Sequence, residues 1–243
     1  MGSGYIAGQS WNYSDWFDVP HSEVNHPVIN AAEKIANEKN IGEHPFIELA
    51  RNTQEPLIYW TKQELIITGP FSLFLFKLCT QIKNVHIRAL MSQIAHGEHG
   101  SVRSHVAYRS HPWLLHTLAE SMGIAPDQIV AAEETLEYLK TLDDESSDLI
   151  RGLGALGIGS EYLLLEEYTA IKSAFIAQHP TSKYEDFLDS NINEDRWHSS
   201  LVEVIASNLI TTDEMASSFL LGAKNGVEAR VKFYDRAFER LTK

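Results

Sequence analysis

The amino-acid sequence predicts an all-α fold, and three observations support this prediction. Apolar residues recur at intervals of three and four along most of the chain, which is the period of an amphipathic helix. No stretch shows a convincing alternation of apolar and polar residues, as a half-buried strand would. Proline and glycine separate the periodic segments, where helices begin and end. We therefore predict one bundle-like domain of about seven or eight helices over residues 26–243, preceded by an N-terminal arm at residues 1–25.

The composition limits the classes of function. The 243 residues, 44% of them hydrophobic, suffice for a substantial core. A net charge of −13 argues against a nucleic-acid binder, which needs a basic face. The single cysteine, Cys79, excludes an intramolecular disulfide, and its apolar surroundings predict a buried thiol. No secretory signal is visible at the N-terminus and the longest apolar run is too short for a bilayer, so we expect a cytoplasmic protein without membrane partners.

The apolar period also places the helices along the chain. Within residues 62–83 the pattern is interrupted by Gly69-Pro70, and we predict two helices with a bend there. Pro126 suits a first helical turn, so another helix is predicted to open at Ala125. The remaining predicted helices span residues 27–39, 46–51, 85–98, 111–122 with Gly123 as C-cap, 149–178, 187–208, and 212–241 with Thr212 or Asp213 as N-cap.

Two segments are unusual in composition. Residues 130–150 hold seven acidic side chains, which we interpret as a solvated acidic face. The helix that begins near Leu149 carries four glycines, each of which costs about 1 kcal/mol relative to alanine in a helix. Their spacing is not that of a phosphate loop, and no strand precedes them. We interpret them as positions where this helix packs closely against a cofactor or substrate; they are Gly152, Gly154, Gly157 and Gly159.

Histidines are concentrated in one stretch of the chain. Five of the eleven lie between His96 and His116, with Glu98 among them. Glu98 and His105 would share a helix face if the helix ran through Gly100, because seven residues make two turns. Glu98 and His111 can converge only if the helix breaks near Gly100 and restarts at His111-Pro112. We expect the other three histidines to face solvent, to pack, or to lie beside the ligands; these are His96, His99 and His116.

Two further segments carry groups that could bind a metal. Asn191, Asp195 and His198 are spaced to share one face of a helix, and carboxylate with imidazole suits iron, manganese or zinc. An exposed polar face is the alternative for this spacing. Glu161 stands among apolar residues of the glycine-rich helix, where an unpaired carboxylate would be costly to bury. Glu161 therefore either faces water or binds a cation.

Together these segments resemble the heme-oxygenase-like diiron oxidases, a branch of the heme-oxygenase-like fold that also includes thiaminase-like and pyrroloquinoline-quinone-synthase-like proteins. The resemblance covers roughly residues 44–240. Three motifs carry it. The first motif contains Arg88, then Glu98 followed by His-Gly100, and then His111-Pro112, which opens a helix that ends in Met122-Gly123. The second motif contains Glu161 and Tyr168. The third motif contains Phe187, Asn191, Asp195 and His198.

The resemblance implies a helical bundle of the heme-oxygenase-like type with a metal site that holds one or two iron ions, manganese being possible. The implied ligands are Glu98, His111, Glu161, Asp195 and His198. Asn191 stands at the sixth position, where the family has histidine, and a neutral amide is a poor ligand. His105 is a rival to His111. The implied catalytic residue is Tyr168. The number of metal ions remains open: the site could hold one ion, a second ion loosely, or none.

The implied function is an oxidase or oxygenase that activates dioxygen to oxidise a small organic substrate. The apolar helix around Phe71 to Leu78 would line the pocket, and a homodimer is possible. One alternative is a cofactor-independent enzyme of the same fold, in which Tyr168, Glu161 and His198 transfer protons. The other alternative is a non-catalytic binding protein with a degenerate site. No nucleic acid is expected as a partner.

Overall fold

The structure is a computed structural model that describes residues 26–100 and 110–243, together with the backbone of residues 4–6 and 9–11. Two three-residue strands, β1 (Gly4–Ile6) and β2 (Gln9–Trp11), pair antiparallel with Tyr5 opposite Ser10. This ribbon was not expected from the sequence, and it lies in the segment that we predicted as an arm. Every other regular element in the described part of the chain is helical, which confirms the all-α prediction.

The α-helices follow one another with short connections. They are α1 (Pro27–Asn37), α2 (Pro45–Asn52), α3 (Glu55–Cys79), α4 (Val85–Gly97), α5 (His111–Ser121), α6 (Glu133–Glu145), α7 (Leu149–Gly152), α8 (Leu163–Gln178), α9 (Tyr184–Leu209) and α10 (Asp213–Leu241). A π-helical segment, Leu153–Tyr162, joins α7 to α8 without a break. Single 3₁₀ turns occur at Ile41–Glu43 and Pro126–Gln128.

The helices pack around one apolar core. The long helix α10 lies against the π-helical segment, α6, α7 and α1, while α9 lies against α8, the π-helical segment and α4. Helix α3 packs on α4 and α5. The largest side chains that are fully buried in this core include Trp60, Phe46, Phe175, Phe187 and Phe219. None of the helices in the described ranges is both long and apolar enough to cross a membrane.

Helix α3 differs from the sequence prediction. It runs unbroken through Gly69-Pro70, so the predicted division into two helices is wrong. An interior proline costs roughly 3 kcal/mol because it removes one hydrogen bond and crowds the preceding turn. Buried Phe71, Leu75 and Leu78 follow it on the same helix, and burying each such side chain contributes about 1.5–3 kcal/mol. The apolar contacts therefore offset the local cost.

Several predicted helix ends are confirmed. Thr212 caps α10 by accepting a hydrogen bond from the Met215 amide, and Gly123 follows α5 with φ 73°, a left-handed conformation that glycine adopts without strain. The start of α6 was wrong: Pro126 makes only a 3₁₀ turn, and the helix begins at Glu133.

The acidic segment is less solvated than we expected. Glu134 and Glu145 are 3% and 4% exposed. Glu134 accepts hydrogen bonds from Arg240, and Glu145 accepts them from Arg151. Cationic partners therefore allow two members of this acidic segment to be buried.

The glycines of the long central helix pack against other helices, and the expectation that they contact a cofactor or substrate was wrong. A Cβ atom on Gly154 would lie 2.1 Å from the Phe219 carbonyl oxygen of α10. A Cβ atom on Gly159 would lie 2.7 Å from the Cα atom of Gly226. The two backbones approach so closely because no side chain separates them. The contact fixes the π-helical segment against α10.

We expect Gly154→Ala to lower the free energy of unfolding by about 1–3 kcal/mol, because the added methyl group must push α10 away. Ser217→Ala, on an exposed position of α10, is the matched control and should change it by less than about 0.5 kcal/mol. Urea denaturation followed by circular dichroism measures both. A Gly154→Ala chain as stable as the control would contradict the close backbone contact.

Candidate metal centre

Glu98 and His111 meet although thirteen residues separate them. Helix α4 ends at Gly97, and Glu98 is its C-cap. The chain returns at His111, the first residue of α5, whose backbone amide donates to the Glu98 carbonyl at 3.2 Å. The His111 Nδ1 atom lies 3.1 Å from Glu98 Oε2, and both residues are buried. This is the break and restart that the Glu98–His111 pairing required. The rival His105 lies outside the described residues.

Glu161, Asp195 and His198 form the second half of the cluster. Glu161 belongs to the π-helical segment, and the other two residues lie one turn apart on α9. His198 Nδ1 is 3.1 Å from Glu161 Oε2 and 3.9 Å from Asp195 Oδ1. All three residues are at most 2% exposed, so Glu161 does not face water.

The two halves meet in the interior of the bundle. Ligand atoms of Glu98, Glu161 and His198 all lie within 4.8 Å of one another. Several buried atoms of the cluster have no hydrogen-bond partner in the described part of the chain: His111 Nε2, Glu161 Oε1, Glu194 Oε2, Asp195 Oδ2 and His198 Nε2. Native proteins satisfy almost all buried polar atoms. Oxygen and imidazole nitrogen atoms at this spacing could hold a metal ion.

Asn191 lines the same space but differs from a ligand histidine. Its side-chain Nδ2 donates to the Phe187 carbonyl at 2.8 Å, one turn earlier on α9. This bond directs the amide nitrogen to the helix backbone, so only the neutral amide oxygen remains as a ligand.

Glu194, which was not among the predicted site residues, also lies at the cluster and is 8% exposed. Its Oε2 atom lies 3.3 Å from His111 Nε2, although the angles are not those of a good hydrogen bond.

The charged groups of the cluster shift one another's pKa values. Burial alone would lower the pKa of His111, but the Glu98 and Glu194 carboxylates outweigh burial and raise it well above its ordinary value. Burial and the nearby Glu161 carboxylate raise the pKa of Asp195 well above its usual range. Without a cation, therefore, His111 holds a proton and Asp195 is difficult to ionise.

A small cavity adjoins the cluster. Its volume is about 20 Å³, which is enough for about one water molecule. Glu98, Glu161, Asn191 and Asp195 form one side. The remaining lining residues are Glu64, Ile67, Thr68, Phe71, Tyr138, Ser160, Leu164, Tyr168 and Arg230. The predicted pocket-lining stretch of α3 thus contributes only its first residue, Phe71, because the face that borders the cavity begins about two turns earlier, at Glu64.

A second buried cluster, which was not predicted from the sequence, also borders the cavity. Arg230 is fully buried, and its Nε atom donates to Glu167 Oε2 at 2.8 Å. Its Nη2 atom donates to Glu64 Oε2 at 2.7 Å and also to Glu167. Tyr234 donates to Glu167 at 2.6 Å. This network supplies its own cation and is closed except for one guanidinium nitrogen, Nη1.

Tyr168, the predicted catalytic residue, belongs to this second cluster. Its hydroxyl group donates to Glu64 Oε1 at 2.8 Å, and burial raises its pKa well above the ordinary value. Tyr168 therefore stays neutral and borders the cavity as a hydrogen-bonded hydroxyl group.

Three further histidines in the described part of the chain, and the cysteine, are not members of the cluster. The side chains of His96, His99 and His116 are exposed, in agreement with the sequence analysis. His99 stacks on Phe76 with ring centroids 6.0 Å apart. Cys79 is buried as predicted, and burial raises the pKa of its thiol to about 11.

We expect Arg230→Met to lower the free energy of unfolding by about 3–5 kcal/mol, because Glu64 and Glu167 would stay buried without their cation. Arg236→Met, on the same helix but with a side chain 36% exposed, should cost less than about 1 kcal/mol. Urea denaturation compares the two variants. Equal losses would show that the buried network contributes no more than a surface ion pair.

Comparison with known proteins supports the fold. No family model and no curated protein matches the chain. A domain of unknown function with a heme oxygenase-like fold from Shewanella denitrificans matches with a TM-score of 0.74 and 14% identity, over 89% of this chain and 94% of that one. A TenA homolog from Pseudomonas syringae pv. tomato gives 0.72 and 11%, over 91% and 99%. A CADD-like protein of unknown function from Nostoc punctiforme gives 0.71 and 16%, over 87% and 97%. The chain therefore has the heme-oxygenase-like fold that its sequence motifs predicted.

Proposed function

We propose that this protein is an iron-dependent oxidase or oxygenase that uses dioxygen to oxidise a small organic substrate. The observation that carries the proposal is the buried convergence of Glu98, Glu161 and His198, whose ligand atoms lie within 4.8 Å of one another. Asp195 and His111 extend this group. The donors are carboxylates and imidazoles without thiolate, a set that suits iron or manganese as well as zinc.

The charges of the cluster support a divalent cation. Four carboxylates are buried here, and their ion-pair partners in the described part of the chain are the two imidazoles. An imidazole that ligates a metal is neutral, so the four carboxylates would carry four negative charges between them. Two divalent ions balance that charge. The carboxylates concerned are Glu98, Glu161, Glu194 and Asp195.

The residues of the chain would divide the work between them. Glu98, His111, Glu161, Asp195 and His198 would hold the metal. Iron bound there would supply electrons to dioxygen, and the carboxylate ligands would stabilise its higher oxidation states. The surrounding helices exclude bulk water from the cluster, where every member is at most 8% exposed. A low-dielectric site strengthens the electrostatic interactions within it.

The cavity is the proposed place for the substrate. Ile67, Phe71 and Leu164 give it an apolar wall, and the Tyr168 hydroxyl group and Arg230 give it polar groups opposite the metal ligands. A substrate held there would place its reacting atom beside Glu98 and Asp195. The small volume favours a small molecule.

We expect the chain, loaded anaerobically with Fe(II), to hold about two ions per molecule by elemental analysis, as the charge count requires. Glu161→Gln should hold fewer, because it removes a charged ligand from the centre. Glu185→Gln, an exposed residue of α9, is the control and should match the parent. On exposure to oxygen the loaded parent should show a transient absorbance. A parent chain that takes up no metal would refute the proposal.

Asn191→Ala should keep the number of bound ions and weaken binding less than Glu161→Gln does. The neutral amide oxygen is a weak ligand, and the amide nitrogen already bonds the helix backbone. Competition with a metal-sensitive dye measures the two affinities. Loss of an ion in Asn191→Ala would make Asn191 a required ligand.

A second candidate is a cofactor-independent enzyme that uses acid–base chemistry in the same cavity. The contact between Tyr168 and Glu64 at the cavity wall favours it, because burial raises the pKa values of both groups and places two groups that can exchange protons beside the cavity. Full turnover in the presence of a chelator would favour this candidate over the metal-dependent one.

A further inference from the structure

The two imidazoles of the cluster are oriented alike. Each presents Nδ1 to a carboxylate that borders the cavity, His111 to Glu98 and His198 to Glu161, at 3.1 Å in both cases. Each turns Nε2 the other way, and neither Nε2 atom makes a hydrogen bond in the described part of the chain. Binding of a cation by Nδ1, beside these carboxylates, would leave Nε2 as the nitrogen that needs a support.

Glu194 lies where such a support is needed for one of the two rings. Its Oε2 atom is 3.3 Å from His111 Nε2, it is buried, and it makes no hydrogen bond among the described residues. Unlike its neighbour Asp195, Glu194 does not border the cavity. Its carboxylate lies at the Nε2 edge of His111, whereas the Glu98 carboxylate lies at the Nδ1 edge.

Gly97 leaves the space for this arrangement. A Cβ atom on Gly97 would lie 3.5 Å from Glu194 Oε2 and 2.5 Å from His198 Nε2. The last residue of α4 therefore has no side chain to separate Glu194 from the imidazoles. His198 Nε2 faces this glycine and has no carboxylate within ion-pair distance on that side in the described ranges.

We propose that Glu194 is a positioning residue that accepts the Nε2–H of His111 and so holds Nδ1 toward the metal. This assignment rests on the proposed metal-dependent function. A neutral imidazole that gives one nitrogen to a metal keeps its proton on the other, and a carboxylate at that proton fixes the ring and makes the ligand more basic. No such carboxylate lies at the Nε2 atom of His198 in the described ranges. We therefore expect Glu194 to orient His111 and not His198.

The test compares three variants for their affinity for Zn²⁺, measured by chelator competition, and for the number of ions bound. Glu194→Gln keeps an acceptor for Nε2–H without the charge, and Glu194→Ala removes the acceptor. Glu185→Gln, exposed on the same helix, is the matched control. We expect roughly 10–100-fold weaker binding of one ion in Glu194→Ala, a smaller loss in Glu194→Gln, no change in Glu185→Gln, and the same number of ions at saturation.

Long-range ¹H–¹⁵N NMR of the Zn²⁺-loaded chain gives a second measurement, which a merely structural role would not change. In the parent, the His111 signals should show a proton on Nε2 and metal on Nδ1, and Glu194→Ala should disturb this pattern for His111 while leaving His198 unchanged. The Glu194→Gln variant decides the matter if Glu194→Ala does not fold.

The outcomes are distinguishable. A parent that binds no divalent cation overturns the proposed function and this assignment together. A parent that binds cations, with Glu194→Gln and Glu194→Ala of parental affinity, overturns only the assignment. Loss of one ion at saturating Zn²⁺ in both variants also overturns it, because Glu194 would then be a ligand.

Discussion

The structure depends on how a helical bundle compensates the carboxylates that it buries. A buried carboxylate without a partner is costly, and this chain buries two groups of them beside one cavity. The second group holds its own cation, because Arg230 donates to both Glu64 and Glu167. The first group, which contains Glu98 and Glu161, is paired only with imidazoles, and several of its atoms lack partners within the described residues. One group is electrostatically complete, and the other calls for a cation from outside.

Close contact between helix backbones brings the first group together. The π-helical segment that carries Glu161 lies against α10 through Gly154 and Gly159, where added Cβ atoms would collide with the backbone. A π-helix adds a residue to each turn and is less favourable than an α-helix, and it occurs frequently at functional sites. The packing of α10 stabilises this irregular segment. The glycines thus serve the site indirectly, through the position of the helix that bears Glu161.

Much of this could be predicted from the sequence. The apolar period gave most of the helices, and the spacing of Asp195 and His198 placed them on one face, as the structure shows. Predicting that Glu98 approaches His111 required two things: the expected helix break near Gly100 and the family resemblance. The failures have physical causes. Gly69-Pro70 is a local signal for the end of a helix, but the burial of the apolar face of α3 is a tertiary effect that the local pattern does not contain.

Glu194 and Arg230 were missed for a different reason. Each is a charged residue in a long amphipathic helix, and such residues are usually at the surface. For Arg230 a signal existed: it follows Gly226 by four residues and Val227 by three, on the stripe of α10 that is buried throughout. An arginine on an apolar stripe that contains glycine indicates a buried ion pair. The sequence around Glu194 contains no such signal. Glu194 is distinguished from other acidic residues of α9 by its partner His111, which only the tertiary fold brings close.

Residues of both groups line the cavity, which limits how it can take up a ligand. Its volume of about 20 Å³ holds about one water molecule, so a larger ligand must displace side chains. The charged residues of both groups are tied by hydrogen bonds and ion pairs, as Glu64 is to Tyr168, and moving them would separate buried charges. The apolar wall of Ile67, Phe71 and Leu164 has no such ties, and Leu164 is only half-buried. Displacing this apolar wall would therefore disturb the fewest polar contacts, and a ligand held there would lie beside residues of both groups, since both line the cavity.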